Sequence, residues 1–168
     1  MQKQEEALFN QMLEDNKTSI YRICRIYAVS PIEPQDLFQE VIFQIWKSYS
    51  TFNGKSNIST WIYKIALNVC SRSKLQFDSL NNKTRRLESI QFEVSETIPD
   101  EIEELRFKAL RECISLLKAI DGSIIILYLD KLPYKEIAVI TNLTENHVAI
   151  KMKRIKKILL ECITPKLK

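Results

Sequence analysis

The chain has 168 residues, 45% of them hydrophobic and 27% charged, with 25 Lys and Arg against 21 Asp and Glu for a formal charge of +4. That size suits one medium domain or two small ones, and the apolar content excludes disorder throughout. No run approaches the roughly 20 apolar residues that span a bilayer, and the opening MQKQEEALFN is acidic where a signal peptide is basic, so a cytoplasmic protein without membrane insertion is expected.

Prolines and glycines punctuate a chain that otherwise reads as helix, at Pro31, Pro34, Gly54, Pro99, Gly122, Pro133 and Pro165. A first helix is predicted from Glu5 to Tyr27 on the spacing of Leu8, Met12, Ile20, Ile23 and Tyr27, with Asn16 to Ser19 weakening its middle. A second runs from Pro34 to about Tyr49. Its wheel places Leu37, Phe38, Val41, Ile42, Ile45 and Tyr49 in one stripe and Asp36, Gln39, Glu40, Phe43 and Trp46 on the other face. Acids mixed with large aromatics leave two readings open: a second buried side covered by the first helix, or a surface for a partner.

The polar loop TFNGKSN precedes a third helix, with Ser59 or Thr60 as its N-cap and its end near Leu75. Between Val41 and Phe77 stand Lys47, Lys55, Lys64, Arg72 and Lys74 and no Asp or Glu, a segregation of sign that suits a polyanion. Residues 77–103 then decay into polar sequence and read as a linker between domains 1–76 and 104–168. After it, Glu104 to Ala119 reads as helix. Ser123 to Asp130, SIIILYLD, reads as a buried helix, because no second strand is at hand to satisfy the backbone of an isolated one.

The segment LPYKEIAVITNLTENHVAIKMKRIKKILLECI reads as a helix-turn-helix: a short helix over Tyr134 to Thr141, Asn142 in a left-handed turn, and Thr144 capping a second helix to about Cys162. In that second helix Val148, Met152, Ile155 and Leu159 share one face. Asn146, His147, Ile150, Lys153, Arg154 and Lys157 are the candidates for duplex contact on or near the other, where Ile150 could meet a thymine methyl. Cys24, Cys70, Cys113 and Cys162 lie far apart in sequence and read as reduced thiols, with no metal site. His147 is the single histidine, and neither phosphate-binding glycine loops nor H-E-x-x-H occur, so no cofactor and no enzyme are expected.

Three stretches, in order, carry a resemblance over nearly the whole chain: DLFQEVIFQIW, FNGKSNISTWIYKIALN and LPYKEIAVITNLTENHVAIKMKRIKKIL. Together the chain resembles the sigma-70 family of bacterial transcription initiation factors, in its small two-domain extracytoplasmic-function class. The resemblance implies an all-α fold, with an N-terminal region 2 bundle linked to a C-terminal region 4 helix-turn-helix. It also implies that Asp36, Gln39, Glu40, Phe43 and Trp46 dock on the clamp helices of the largest subunit of core RNA polymerase. Asn53, Gly54, Lys55, Ser56 and Asn57 would then receive an unstacked base of a melted minus-ten element, held by Trp61, Lys64 and Asn68; a core position is the other reading of Trp61. Promoter DNA, duplex at the minus-thirty-five element and melted at the minus-ten, follows as partner, and an anti-sigma protein is a family expectation. The sequence departs from the family pattern at Arg72, Pro133, Asn142, Ala149 and Ile150, which bears on promoter sequence. Two rivals are a polymerase-independent helix-turn-helix regulator and a helical nuclease, the second disfavoured by the lack of convergent carboxylates.

Overall fold

The computed structural model describes residues 2–28, 31–83 and 101–168, with the backbone alone at 2, 3, 78 and 80–83. The elements among the described residues are all helices: α1 Gln2–Tyr27, α2 Pro34–Tyr49, α3 Ile58–Lys83, α4 Glu101–Ser115, α5 Ala119–Leu129, α6 Tyr134–Thr141 and α7 Glu145–Lys166. The all-α architecture is the one expected.

Helices α1, α2 and α3 pack against one another as an N-terminal bundle. Its centre is Ile20, Ile23 and Cys24 of α1, Leu37, Val41 and Ile45 of α2, and Ile62, Ala66 and Cys70 of α3. Each fully buried branched side chain there contributes about 1.5–3 kcal/mol of burial. Pro34 opens α2 at a position where its missing N–H costs nothing. Asn16 weakens the pattern of α1 without breaking the helix: its buried Nδ2 donates to the Met12 carbonyl at 2.8 Å. The polar group is thereby satisfied inside the bundle.

In the C-terminal half, Ile124, Ile125, Ile126 and Leu127 of α5 are buried, as SIIILYLD predicts for a helix enclosed on several sides. Helix α4 ends at Ser115 rather than Ala119. Leu116 and Leu117 donate back to Cys113 and Ile114 at 3.3 and 3.0 Å, which tightens the last turn and lets the chain reverse into α5. Helix α3 extends past Leu75 to Lys83 and α4 begins at Glu101, so residues 84–100 of the expected linker lie outside the described residues.

The cysteines depart from expectation. Cys113 and Cys162 form a disulfide between α4 and α7 with Cα atoms 5.9 Å apart, and the buried Cys24 and Cys70 bring their Sγ atoms within 3.9 Å between α1 and α3. Helix packing closes both gaps, which no spacing along the chain reveals. Its hydrogen bond with Cys24, together with burial, pushes the Cys70 thiol well above its ordinary range.

The two halves also pack on one another. Helix α4 packs on α1 and α6 packs on α3. Lys74 Nζ donates to the Ser115 carbonyl at 2.8 Å, and the Arg25 guanidinium stands 4.3 Å from the ring centroid of Phe107.

Candidate nucleic-acid interface

Helix α2 turns its acidic face outward. Asp36, Gln39 and Glu40 are exposed, and Phe43 and Trp46 remain 56% and 57% exposed. Trp46 does touch α1, with Phe9 meeting it edge to face at 5.0 Å and Tyr49 at 5.1 Å. That contact supports the ring without covering it. Phe9, Phe38, Gln39, Ile42, Phe43 and Trp46 line a groove of about 420 Å³ beside the acids. Of the two readings left open by the wheel, cover by α1 fails on this exposure. A ring pair left in water on a rigid helix is the form an anchor for a protein partner takes.

The loop between α2 and α3 is built by its own asparagines. Asn53 Oδ1 accepts from the Lys55 amide at 3.2 Å, and Gly54 takes φ +69, a left-handed turn open to glycine without strain. Asn57 Oδ1 accepts from the Ser59 amide at 3.0 Å and so caps α3, which begins at Ile58. This corrects the expected cap at Ser59 or Thr60. Thr60 is instead buried, on the inward face of α3 with Tyr63 and Leu67. Asn53, Gly54, Lys55 and Asn57 are exposed and Ser56 is half-buried.

Trp61, Lys64 and Asn68 share one face of α3, since offsets of three and four residues return to the same side. Lys64 and Asn68 are exposed. Trp61 is half-buried against the core with Phe52 5.2 Å away, so it is both a packed residue and a ring with an open side. A cation, an amide and a π face on one helix, beside a polar loop, form a surface able to hold an unpaired strand.

The helix-turn-helix forms as its punctuation predicts. Asn142 takes φ 59 and its neighbour Leu143 donates to the Ala138 carbonyl at 2.9 Å. Thr144 Oγ1 accepts from the His147 amide at 3.2 Å. Pro133 offers α6 no side-chain cap, but its carbonyl accepts from Glu136 and Ile137 at 3.0 and 3.1 Å. Val148, Met152, Ile155 and Leu159 are buried, while Asn146, His147, Ile150, Lys153, Arg154 and Lys157 are exposed.

Sequence reasoning missed what holds two of those cations. The buried carboxylate of Asp121, on α5, pairs with Lys151 Nζ at 2.9 Å and with Arg154 Nη2 at 3.5 Å, and Lys157 pairs with Glu161 at 4.0 Å. Asp121 thereby ties the outward helix α7 to the apolar helix beneath it. The available signal was an acid in an otherwise greasy segment, AIDGSIIILYL.

Among known proteins, the family description "Sigma-70 region 2" matches residues 12–76 and "Sigma-70, region 4" matches residues 107–159, together well over half of the chain. The ECF RNA polymerase sigma factor SigG of Mycobacterium tuberculosis, in strains CDC 1551 / Oshkosh and ATCC 25618 / H37Rv alike, is 34% identical over 62 residues. That stretch is 37% of this chain and 17% of SigG, so the chain spans only a small part of the curated relatives it matches. Among solved structures, the sigma factor RpoE in complex with the anti-sigma factor NepR from Bartonella quintana has a TM-score of 0.69 at 17% identity, covering 92% of this chain and 95% of RpoE. CnrH in complex with the cytosolic domain of CnrY has a TM-score of 0.68 at 15% identity, covering 93% and 87%. These two likenesses are of fold.

Proposed function

Because the chain belongs to the sigma-70 family, in its extracytoplasmic-function class, we propose that it binds core RNA polymerase and directs initiation at specific promoters, melting the minus-ten element. The observation that carries the proposal is the pair Phe43 and Trp46, more than half exposed on an acidic helix. With Asp36, Gln39 and Glu40 they form the polymerase-facing surface. The loop from Asn53 to Asn57, with Trp61, Lys64 and Asn68, captures a flipped base of the melted strand, where stacking is worth about 1–3 kcal/mol. Asn146, His147, Ile150, Lys153, Arg154 and Lys157 read the minus-thirty-five element as duplex.

The protein acts as a non-enzymatic specificity subunit in the cytoplasm, where its polymerase works. Among the described residues no helix is long and apolar enough to cross a membrane, and no three His, Cys, Asp or Glu converge as metal ligands. An anti-sigma protein is proposed as a further partner, as RpoE was solved with NepR.

Run-off transcription with purified core polymerase on a genomic template library, followed by start-site sequencing, tests the proposal. Discrete starts that depend on the added chain are expected. Tight binding to duplex without polymerase, and no new starts with it, would instead favour an independent helix-turn-helix regulator.

A further inference from the structure

Asp130 follows α5, and its side chain is only 3% exposed. Both partners of its carboxylate come from the other half of the molecule: Arg22 Nη1 of α1 donates to Oδ1 at 2.8 Å, and the Tyr63 hydroxyl of α3 donates to Oδ2 at 2.6 Å. A carboxylate shut away from water is costly unless it is paired and hydrogen-bonded. Here the compensation comes across the junction between the halves.

We propose that Asp130 is a latch that holds the two halves closed, and that it must release before the chain can engage both promoter elements. The inference rests on the promoter-binding reading above. Minus-ten and minus-thirty-five elements, separated by roughly 25 base pairs at 3.4 Å each, lie about 85 Å apart. A compact chain of this length has a radius of gyration of about 15 Å and is roughly 40 Å across. The closed form therefore reaches one element at a time.

The latch works through distance and not through cover. Tyr63 lies two residues from Trp61, about 200° around α3, so the strand-holding face stays open while its opposite face is engaged. Lys64 and Asn68 are exposed in the closed form.

The junction is also built to part. Elsewhere along the junction a cavity of about 230 Å³ separates α1 and α3 from α4 and α5, lined by Ile26, Tyr27, Ser71, Lys74, Leu117 and Lys118 among others. Walls that do not meet forfeit dispersion contacts between the halves, and the Ser and Lys side chains among them are ones that water can serve once the halves part. Opening returns Asp130 and the Tyr63 hydroxyl to water and releases Arg22, which is already 60% exposed, so separation leaves none of them buried without a partner. An ion pair whose desolvation nearly offsets its attraction makes a reversible contact.

Small-angle scattering of the full chain, free of polymerase, tests the latch separately from transcription. Wild type should be compact. Asp130→Asn, Tyr63→Phe and Arg22→Gln should each raise the share of open molecules, by about tenfold for Asp130→Asn, and enlarge the radius of gyration. Tyr63→Phe keeps the ring volume and Arg22 is 60% exposed, so at least two variants should fold normally. A second readout follows the Tyr63 phenol, which burial first, and then its bond to Asp130, push up to about 12, with Glu136 adding to the rise and Ser19 opposing it. In Asp130→Asn, phenolate absorbance should show this ionisation falling toward the ordinary value of about 10. Compact, wild-type scattering from all three variants would overturn the latch even if the chain directs transcription. Expansion of the variants would uphold it whether or not starts appear.

Discussion

Helices α2 and α7 both leave large apolar side chains in water, but they surround them with opposite charge. On α2, Phe43 and Trp46 stand among Asp36 and Glu40; on α7, Ile150 stands near Lys153, Arg154 and Lys157. The acids of α2 flank an open groove, whereas Arg154 and Lys157 of α7 are already paired with Asp121 and Glu161. An aromatic anchor beside a groove suits a protein surface, and a braced basic helix suits a polyanion, whose phosphates must compete with the internal acids. The largest expected effect tests the first half of this contrast. Trp46→Ala should weaken binding to core polymerase by about thirtyfold or more, the loss typical of a central aromatic anchor. Stability should fall only modestly, by the edge-to-face contact with Phe9, worth about 0.5–1.5 kcal/mol. Unchanged polymerase affinity in a titration would remove the reason for treating the two helices as different kinds of surface.

The second half of the contrast is sharpened by salt. If Lys153 meets a phosphate, Lys153→Gln should reduce the slope of log affinity against log salt by about 0.9. Arg154→Gln should reduce it by distinctly less, because the guanidinium is partly neutralised by Asp121 and releases fewer counterions on binding. Removing Arg154 also leaves Asp121 its closer partner, Lys151 at 2.9 Å, so the fold beneath is kept. Equal drops for the two variants would mean that Asp121 lets go of Arg154 on the duplex.

The same contrast separates what could be read along the chain from what could not. Features set by neighbours within a turn or two were legible: the bounds of α2 and α6, the left-handed Asn142, the Thr144 cap and the inward stripe Val148, Met152, Ile155 and Leu159. Which candidate side chains share a helix face was legible, because the helical period decides it, while the roles proposed for them, and the whole of the Asn53 to Asn57 loop, came from the resemblance of the three motifs. Partners brought together by packing were hidden. Cys113 meets Cys162 across a sequence separation of 49, Asp121 meets Arg154 only because α5 lies under α7, and Asp130 meets Arg22 and Tyr63 only because the halves close. The cap of α3 was misplaced for a smaller reason. Asn57, Ser59 and Thr60 can all cap, and only the packing shows that Thr60 is taken up by the buried face while Asn57 Oδ1 is free to accept the Ser59 amide.

The smallest expected effect concerns how each half makes its left-handed turns. The N-terminal half places glycine there, Gly54 at φ 69, whereas the C-terminal half places Lys131 at φ 65 and Asn142 at φ 59. For a lysine this conformation costs about 1 kcal/mol, since its Cβ crowds the following carbonyl, while asparagine tolerates it better. The Lys131 side chain is exposed and its amide still donates to the Tyr128 carbonyl at 2.9 Å, so removing the side chain disturbs little else. Lys131→Gly should therefore stabilise the protein by about 0.5–1 kcal/mol, partly offset by the freer unfolded chain, and raise Tm by about 1–4 °C. Asn142→Gly should give less. Lys131 adjoins Asp130, so a gain that vanishes in the Asp130→Asn background would mean that its strained turn is upheld by the closed junction and not by the C-terminal half alone.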